Sequence, residues 1–255
     1  MTDRLYYTDP YTVEFEARVI GRDNDSRRVY LDRTAFYPTS GGQPFDTGEL
    51  GGARVIDVVD EGERIAHLLD APLLSDRVAG RVDWARRFDH MQQHTGQHLL
   101  SAVVADLRGF RTVAVHFGSE VSTVDVDAGS LSPEEVVRIE DKANEIIVQN
   151  RTVSISFEDA QEAAGLRKVS DRTGTIRIIT IQDLDRSACG GTHVRATGEL
   201  GSLLIRKVER VRKGTRLEFL CGSRANRQAR VDYDLIARLA GDLSASPEEL
   251  PQLIS

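Results

Sequence analysis

The chain has 255 residues, 40% of them hydrophobic and 29% charged, which is ordinary globular material for one large domain or two smaller ones. Two cysteines are too few for a disulfide framework, the N-terminus carries no signal-peptide pattern, and no apolar run approaches the roughly 20 residues that span a bilayer, so a cytoplasmic protein with no membrane role is expected. The formal charge of −7 excludes a broadly basic nucleic-acid binder while leaving room for a local basic patch.

From Val13 onward the pattern is short and alternating: Val13, Phe15, Ala17 and Val19 are set against Glu14, Glu16 and Arg18. This predicts a strand, and 28–32, 53–59, 64–69 and 77–82 read the same way, closing as a small β-barrel over residues 1–88. Between them, 36–48 is too long and polar for a plain hairpin turn. Its Gly41-Gly42-Gln43 is read either as backbone offered to a phosphate or RNA terminus, or as a bulged connection. A Gly-Gly-Gln tripeptide also occurs in peptide-release factors, which act on an ester of tRNA.

Near Asp89 the period changes. Leu99, Leu100, Val103, Val104 and Leu107 predict a helix over about 89–108, ended by Gly109. Ser132-Pro133-Glu134-Glu135 is a capping box opening a second helix that runs to about Asn150 along Val136, Ile139, Ala143, Ile146 and Ile147. Strands are expected at 121–126, 153–157, 175–181, 202–208 and 215–221, making 89–240 an α+β domain with a mainly antiparallel sheet and packed helices. A third stripe through Leu235, Ile236, Leu239 and Leu243, then a second capping box at Ser246, predict that 241–255 begins a linker or helical extension of a longer protein. Arg206, Lys207, Arg210, Arg212, Lys213 and Arg216 face only Glu209 within their stretch, which reads equally as a solvated strand pair or as a phosphate contact.

The chemistry concentrates in two half-sites. His90, His94 and His98 recur every four residues, so neighbouring pairs share a helix face one turn apart. The outer two are about 12 Å apart along the axis, so one of the three must be left out of any single ion. Cys189-Gly190-Gly191-Thr192-His193 offers a thiolate and an imidazole, with glycines that permit a tight turn. Sulfur with nitrogens favours zinc. His94-Thr95-Gly96-Gln97-His98 lacks the glutamate of H-E-x-x-H metalloproteases, which disfavours peptide cleavage. Gly96 inside a helix marks either a close approach at the site or simple helix packing.

These two motifs, in this order behind the loop from Tyr37 to Gly48, resemble the editing domain of alanyl-tRNA synthetases, and the likeness extends through Gly201 to Arg216, Glu218 and Gly222. It covers about residues 5–240. With no counterpart of the synthetase catalytic domain, the chain is most similar to the longer form of the free-standing AlaX trans-editing proteins. The resemblance implies one zinc ion held by His94, His98, Cys189 and His193, with His90 outside. It also implies hydrolysis of serine, and of glycine, wrongly attached to tRNA(Ala), an error an alanine pocket cannot reject by binding alone. The partner implied is the acceptor end of tRNA(Ala), with Gly41, Gly42, Gln43, Arg206, Lys207, Arg212 and Lys213 positioning it and Thr95, Gln97 and His116 walling the pocket. At or near His116 the synthetases tend to carry glutamine. A homodimer through a C-terminal extension fits the family. Two further readings stand beside the deacylase: a non-catalytic zinc-stabilised tRNA-binding module, since four ligands close a structural shell, and hydrolysis of another small ester.

Overall fold

A computed structural model describes residues 1–168 and 173–254, leaving Ser255 of the expected extension outside the described residues. Alternation closes the first half as expected. Strands β1 (Glu14–Arg22), β2 (Arg28–Leu31), β3 (Gly48–Leu50), β4 (Ala53–Asp60), β5 (Ile65–Leu69) and β6 (Arg77–Val82) form a closed antiparallel barrel in the order β1-β2-β5-β4-β3-β6. In β6 the residues strictly alternate between exposed and buried, and Leu31, Phe36, Leu50, Val58 and Ile65 fill the interior. The short β3 was not foreseen because Gly48, Glu49 and Leu50 are too few to show a period.

Helix α1 (Trp84–Arg108) starts five residues before the expected Asp89. Its first turn shows no apolar stripe to read. The Asp83 side chain caps it by accepting from the Arg86 amide, and the residue it buries there is Arg87. Gly109, left-handed at φ 70°, ends it. The second half continues with β7 (Thr112–Phe117), β8 (Ser122–Val126), α2 (Pro133–Val148), β9 (Val153–Asp159), β10 (Thr175–Ile181), β11 (Asp185–Ala188), β12 (Leu203–Val211), β13 (Gly214–Cys221) and α3 (Ser223–Asp242). Two antiparallel sheets result, β12-β13-β8-β7 and β9-β10-β11, and α1 packs against strands of both and against α2. The α2 capping box at Ser132 is formed on both sides. The stripe of α3, with Leu235, Ile236 and Leu239, is exposed. No helix among the described residues is long and apolar enough to cross a membrane.

The two halves are joined by polar contacts that sequence period does not reveal. Arg87 and Asp46 form a fully buried ion pair, and Arg87 also donates to the carbonyls of Pro10 and Ala35. Removing either partner would strand a buried charge. The segment before the barrel reaches back to the second half: the Tyr7 carbonyl accepts from Arg177 at 2.9 Å, and Tyr11 donates to Glu199.

Candidate metal centre

The middle of α1 is polar in sequence yet buried on all sides. From His90 to Val104 every residue is buried, including Gln92, Gln93, His94, Thr95, Gln97 and His98. Buried polar groups require partners. Gln92 donates to the Glu199 carbonyl, and Gln93 pairs in both directions with the backbone of Cys221. Gln97 donates along the helix to Ser101 at 2.8 Å.

His94 and His98, one turn apart on α1, meet Cys189 and His193 on the turn that follows β11. One ligand atom from each of the four lies within 4.8 Å of all the others, and this is the His/Cys/Asp/Glu group of that kind among the described residues. Cys189 Sγ lies 3.3 Å from His94 Nε2 and 3.4 Å from His193 Nε2. Sulfur and nitrogen on one tetrahedral zinc should sit about 3.5 Å apart, from bond lengths of about 2.3 and 2.0 Å. The donor set and its spacing fit zinc. His90 stays outside the cluster, buried, with its Nδ1 unpartnered among the described residues.

Each histidine is held from behind. His94 Nδ1 is 2.8 Å from Gln43 Oε1, His98 Nδ1 is 3.0 Å from Asp185 Oδ2, and His193 Nδ1 is 3.1 Å from Thr95 Oγ1. This is the outer shell that orients imidazole ligands. Arg167 donates to Asp185 at 2.6 Å and Ser187 donates to it as well. Burial disfavours charge on Asp185, but its hydrogen bond and attraction to His98, with Arg167 beside it, hold the carboxyl below the usual range. Burial likewise opposes charge on His98, and the Asp185 and Cys189 partners outweigh it, raising His98 to about 9. Burial also works against the Cys189 thiolate, yet His94 and His193 hold that thiol well below its ordinary value, which is the state a metal ligand needs.

The Cys189–His193 turn is fixed by Arg177, which donates to the Cys189 carbonyl at 2.7 Å and the Gly191 carbonyl at 2.9 Å. Neither of its glycines has positive φ. Gly191 is needed for room: a Cβ there would lie 2.1 Å from His94 Cε1. Gly96 is also a matter of space, and of packing rather than of the site, since its Cβ would fall 2.2 Å from the Sγ of Cys221 on β13.

The barrel loop arrives over this cluster. Gly41 and Gly42, both left-handed, are exposed, and the Gly42 backbone sits over Phe117. Gln43 differs from them: it is buried at 1% exposure and turned inward to His94 and Thr192, away from any RNA-facing surface. His116 is corrected too. At the end of β7 His116 is exposed and Phe117 is buried, and it is the Phe117 ring that packs on His94, at 4.9 Å between centroids. Thr95 is buried against His193 and accepts from the Val194 amide. Of the four residues only Cys189 is half-buried, the three histidines being buried.

The basic stretch lies on the β12–β13 hairpin, away from the cluster in sequence and partly neutralised. Arg206 pairs with Asp232 of α3, Lys207 with Glu209, and Arg216 with Asp125. Arg210, Arg212 and Lys213, at the exposed tip, have no ion-pair partner among the described residues. Sequence reasoning missed Asp185, Arg167, Thr192 and Phe117. Thr192 lies inside the Cys189–His193 motif but is not of a metal-ligand type, and Asp185, Arg167 and Phe117 lie in none of the motifs.

Residues 176–217 match the family described as the threonyl and alanyl tRNA synthetase second additional domain. Over 270 residues the chain is 37% identical to the alanine–tRNA ligase of Pyrococcus furiosus, a match covering 98% of this chain and 29% of the ligase. It is 34% identical over 269 residues to the alanyl-tRNA editing protein AlaX-L of Pyrococcus horikoshii, covering 100% of this chain and 66% of that protein. The alanyl-tRNA editing protein Aarsd1 of Bos taurus is 37% identical over 204 residues, covering 77% of this chain and 46% of Aarsd1. The chain thus spans under a third of the ligases it matches and a larger share of the editing proteins.

Proposed function

The chain belongs to the AlaX-type alanyl-tRNA editing family, and from that premise we propose that it is a zinc-dependent deacylase that removes serine, and also glycine, from mischarged tRNA(Ala). The observation that carries this reading is the four-residue cluster whose three imidazoles each have the second ring nitrogen engaged by a neighbouring side chain. Bound zinc would supply Lewis acidity toward the ester carbonyl or the attacking water. The chain's own residues do the rest. His94, His98, Cys189 and His193 hold the ion, and Asp185 keeps the Nδ1 proton of His98 on the side away from it. Phe117 packs on His94 with the Gly42 backbone beside it, and the side of the cluster at half-buried Cys189 is the proposed approach for the aminoacyl end.

The exposed Gly41 and Gly42 backbone is suited to the terminal ribose and phosphate, and the tip cations Arg212 and Lys213 to the tRNA backbone. Free protein in the cytoplasm, a dimer formed through a further C-terminal region, and the recognition of tRNA(Ala) by its acceptor end complete the proposal. The test compares hydrolysis of Ser-, Gly- and Ala-tRNA(Ala) by the full chain. Faster loss of serine than of alanine is expected, and equal decay of Ser-tRNA(Ala) with and without zinc-loaded protein would overturn the reading.

One observation favours a second reading. Four protein donors close a tetrahedral shell, which is the arrangement of a structural zinc. In a purely structural site, His94→Ala and Cys189→Ala would lower the melting temperature while no protein-dependent deacylation existed to lose.

A further inference from the structure

The Gly-Gly-Gln tripeptide of the barrel loop divides by burial. Gly41 and Gly42 are exposed, but Gln43 is buried, and its side-chain amide makes three hydrogen bonds to the second half of the molecule. Its partners fix which way the amide faces. The backbone N–H of Thr192 can only donate, so the Gln43 atom 3.1 Å from it is the oxygen Oε1. The Nε2 group then donates to Thr192 Oγ1 at 2.8 Å. The same Oε1 lies 2.8 Å from His94 Nδ1. An amide oxygen can only accept, so Nδ1 of His94 carries a proton, which leaves Nε2, 3.3 Å from Cys189, as the nitrogen that can ligate a metal.

We infer that Gln43 is a positioning residue of the metal centre: the barrel, through one side chain, sets the tautomer and ring orientation of His94 and clamps it to the Cys189–His193 turn. Two surrounding features serve the same contact. Gly191 leaves the space, since a Cβ there would stand 2.1 Å from His94 and 3.1 Å from Gln43 Oε1. The loop that carries Gln43 is itself anchored, with the Ser40 and Gln43 backbones paired at 2.9 and 3.1 Å and the Tyr37 amide donating to Asp46, the partner of Arg87. The barrel therefore completes the centre rather than only adding a surface for RNA. The inference rests on the zinc reading of the cluster, but its test does not depend on activity.

Zinc affinity of the 255-residue chain is measured by competition with a chromogenic chelator for the parent protein, Gln43→Ala and Gln43→Glu. The imidazole ¹⁵N shifts of His94 are read in the zinc-free form of each. Glutamate keeps the acceptor for Nδ1–H, and alanine removes it. Gln43→Ala is expected to bind zinc about 10- to 100-fold more weakly, as for other outer-shell losses, and to show His94 as a mixture of tautomers. Gln43→Glu should stay within about threefold of the parent and keep Nδ1 protonated. Parent-like affinity in Gln43→Ala, or equal weakening in both variants, overturns the inference alone. A parent protein that binds no zinc overturns the centre itself.

Discussion

Asp185 serves two masters at the base of the centre: one oxygen faces His98 Nδ1, and the other accepts from Arg167. Replacing it with asparagine keeps the shape and removes the charge that holds the imidazole. Asp185→Asn should weaken zinc binding about 10- to 100-fold by chelator competition, and it should also lower the stability of the zinc-free fold because His98 and Arg167 lose their buried partner; an unaltered affinity would remove Asp185 from the centre. At this scale the four clustered residues were legible from their spacing, because two residues four apart on a helix or tight turn must share a face. Their supports were not. Asp185 lies four residues before Cys189 in a strand with no motif, and Gln43 stood in a visible motif that pointed outward to RNA. His116 was chosen for its chemistry, although the inward place falls to its neighbour Phe117. A histidine type cannot show which way it faces; only the register can.

Helix α1 and the barrel show how elements are fitted to carry the site. Gly96 lets α1 lie directly on β13 at Cys221. Gly96→Ala gains about 1 kcal/mol of helix propensity but should lose about 1–3 kcal/mol to overpacking. In a Cys221→Ala background that loss should disappear, so denaturant unfolding of the double-mutant cycle is expected to show strong coupling, and additive effects would contradict the contact.

The barrel carries its own pH dependence in His67, fully buried between Thr34 Oγ1 and the Val29 carbonyl. Burial pushes it down to about 4, with the Val29 contact opposing only in part. The unfolded chain, with a histidine near 6.5, binds the proton first, so stability is full above about 6.5 and falls as pH drops toward 4. With chelator present, the parent should lose about 2–3 kcal/mol more than His67→Gln between pH 7.5 and 4.5 in urea unfolding; parallel losses would show that His67 is not the source. The barrel and the main helices were legible from periodicity. The start of α1 was not, because its first turn buries an arginine ion pair instead of an apolar stripe, and β7 was hidden because Val113 and Ala114, both exposed, break the apolar alternation.

Across the whole molecule an acidic chain presents a small basic hairpin tip, and the structure sorts its cations. Arg206 and Lys207 are already paired with carboxylates, whereas Arg212 and Lys213 are free of ion-pair partners among the described residues. If the tip meets phosphate, Arg212→Ala with Lys213→Ala should weaken tRNA binding and reduce the slope of log affinity against log salt by about one per lost cation, while Arg206→Ala should do less. Equal slopes would assign the tip to solvent. A barrel loop, a helix and a turn meet at the cluster, and the proposed function makes it one metal centre for editing tRNA. The most direct test of that function is titration of zinc into chelator-stripped protein while Ser-tRNA(Ala) hydrolysis is followed. The rate is expected to climb to a plateau at one ion per chain and to stay absent in Cys189→Ala. Hydrolysis that survives stripping, or zinc that binds and restores the fold without restoring hydrolysis, would contradict it.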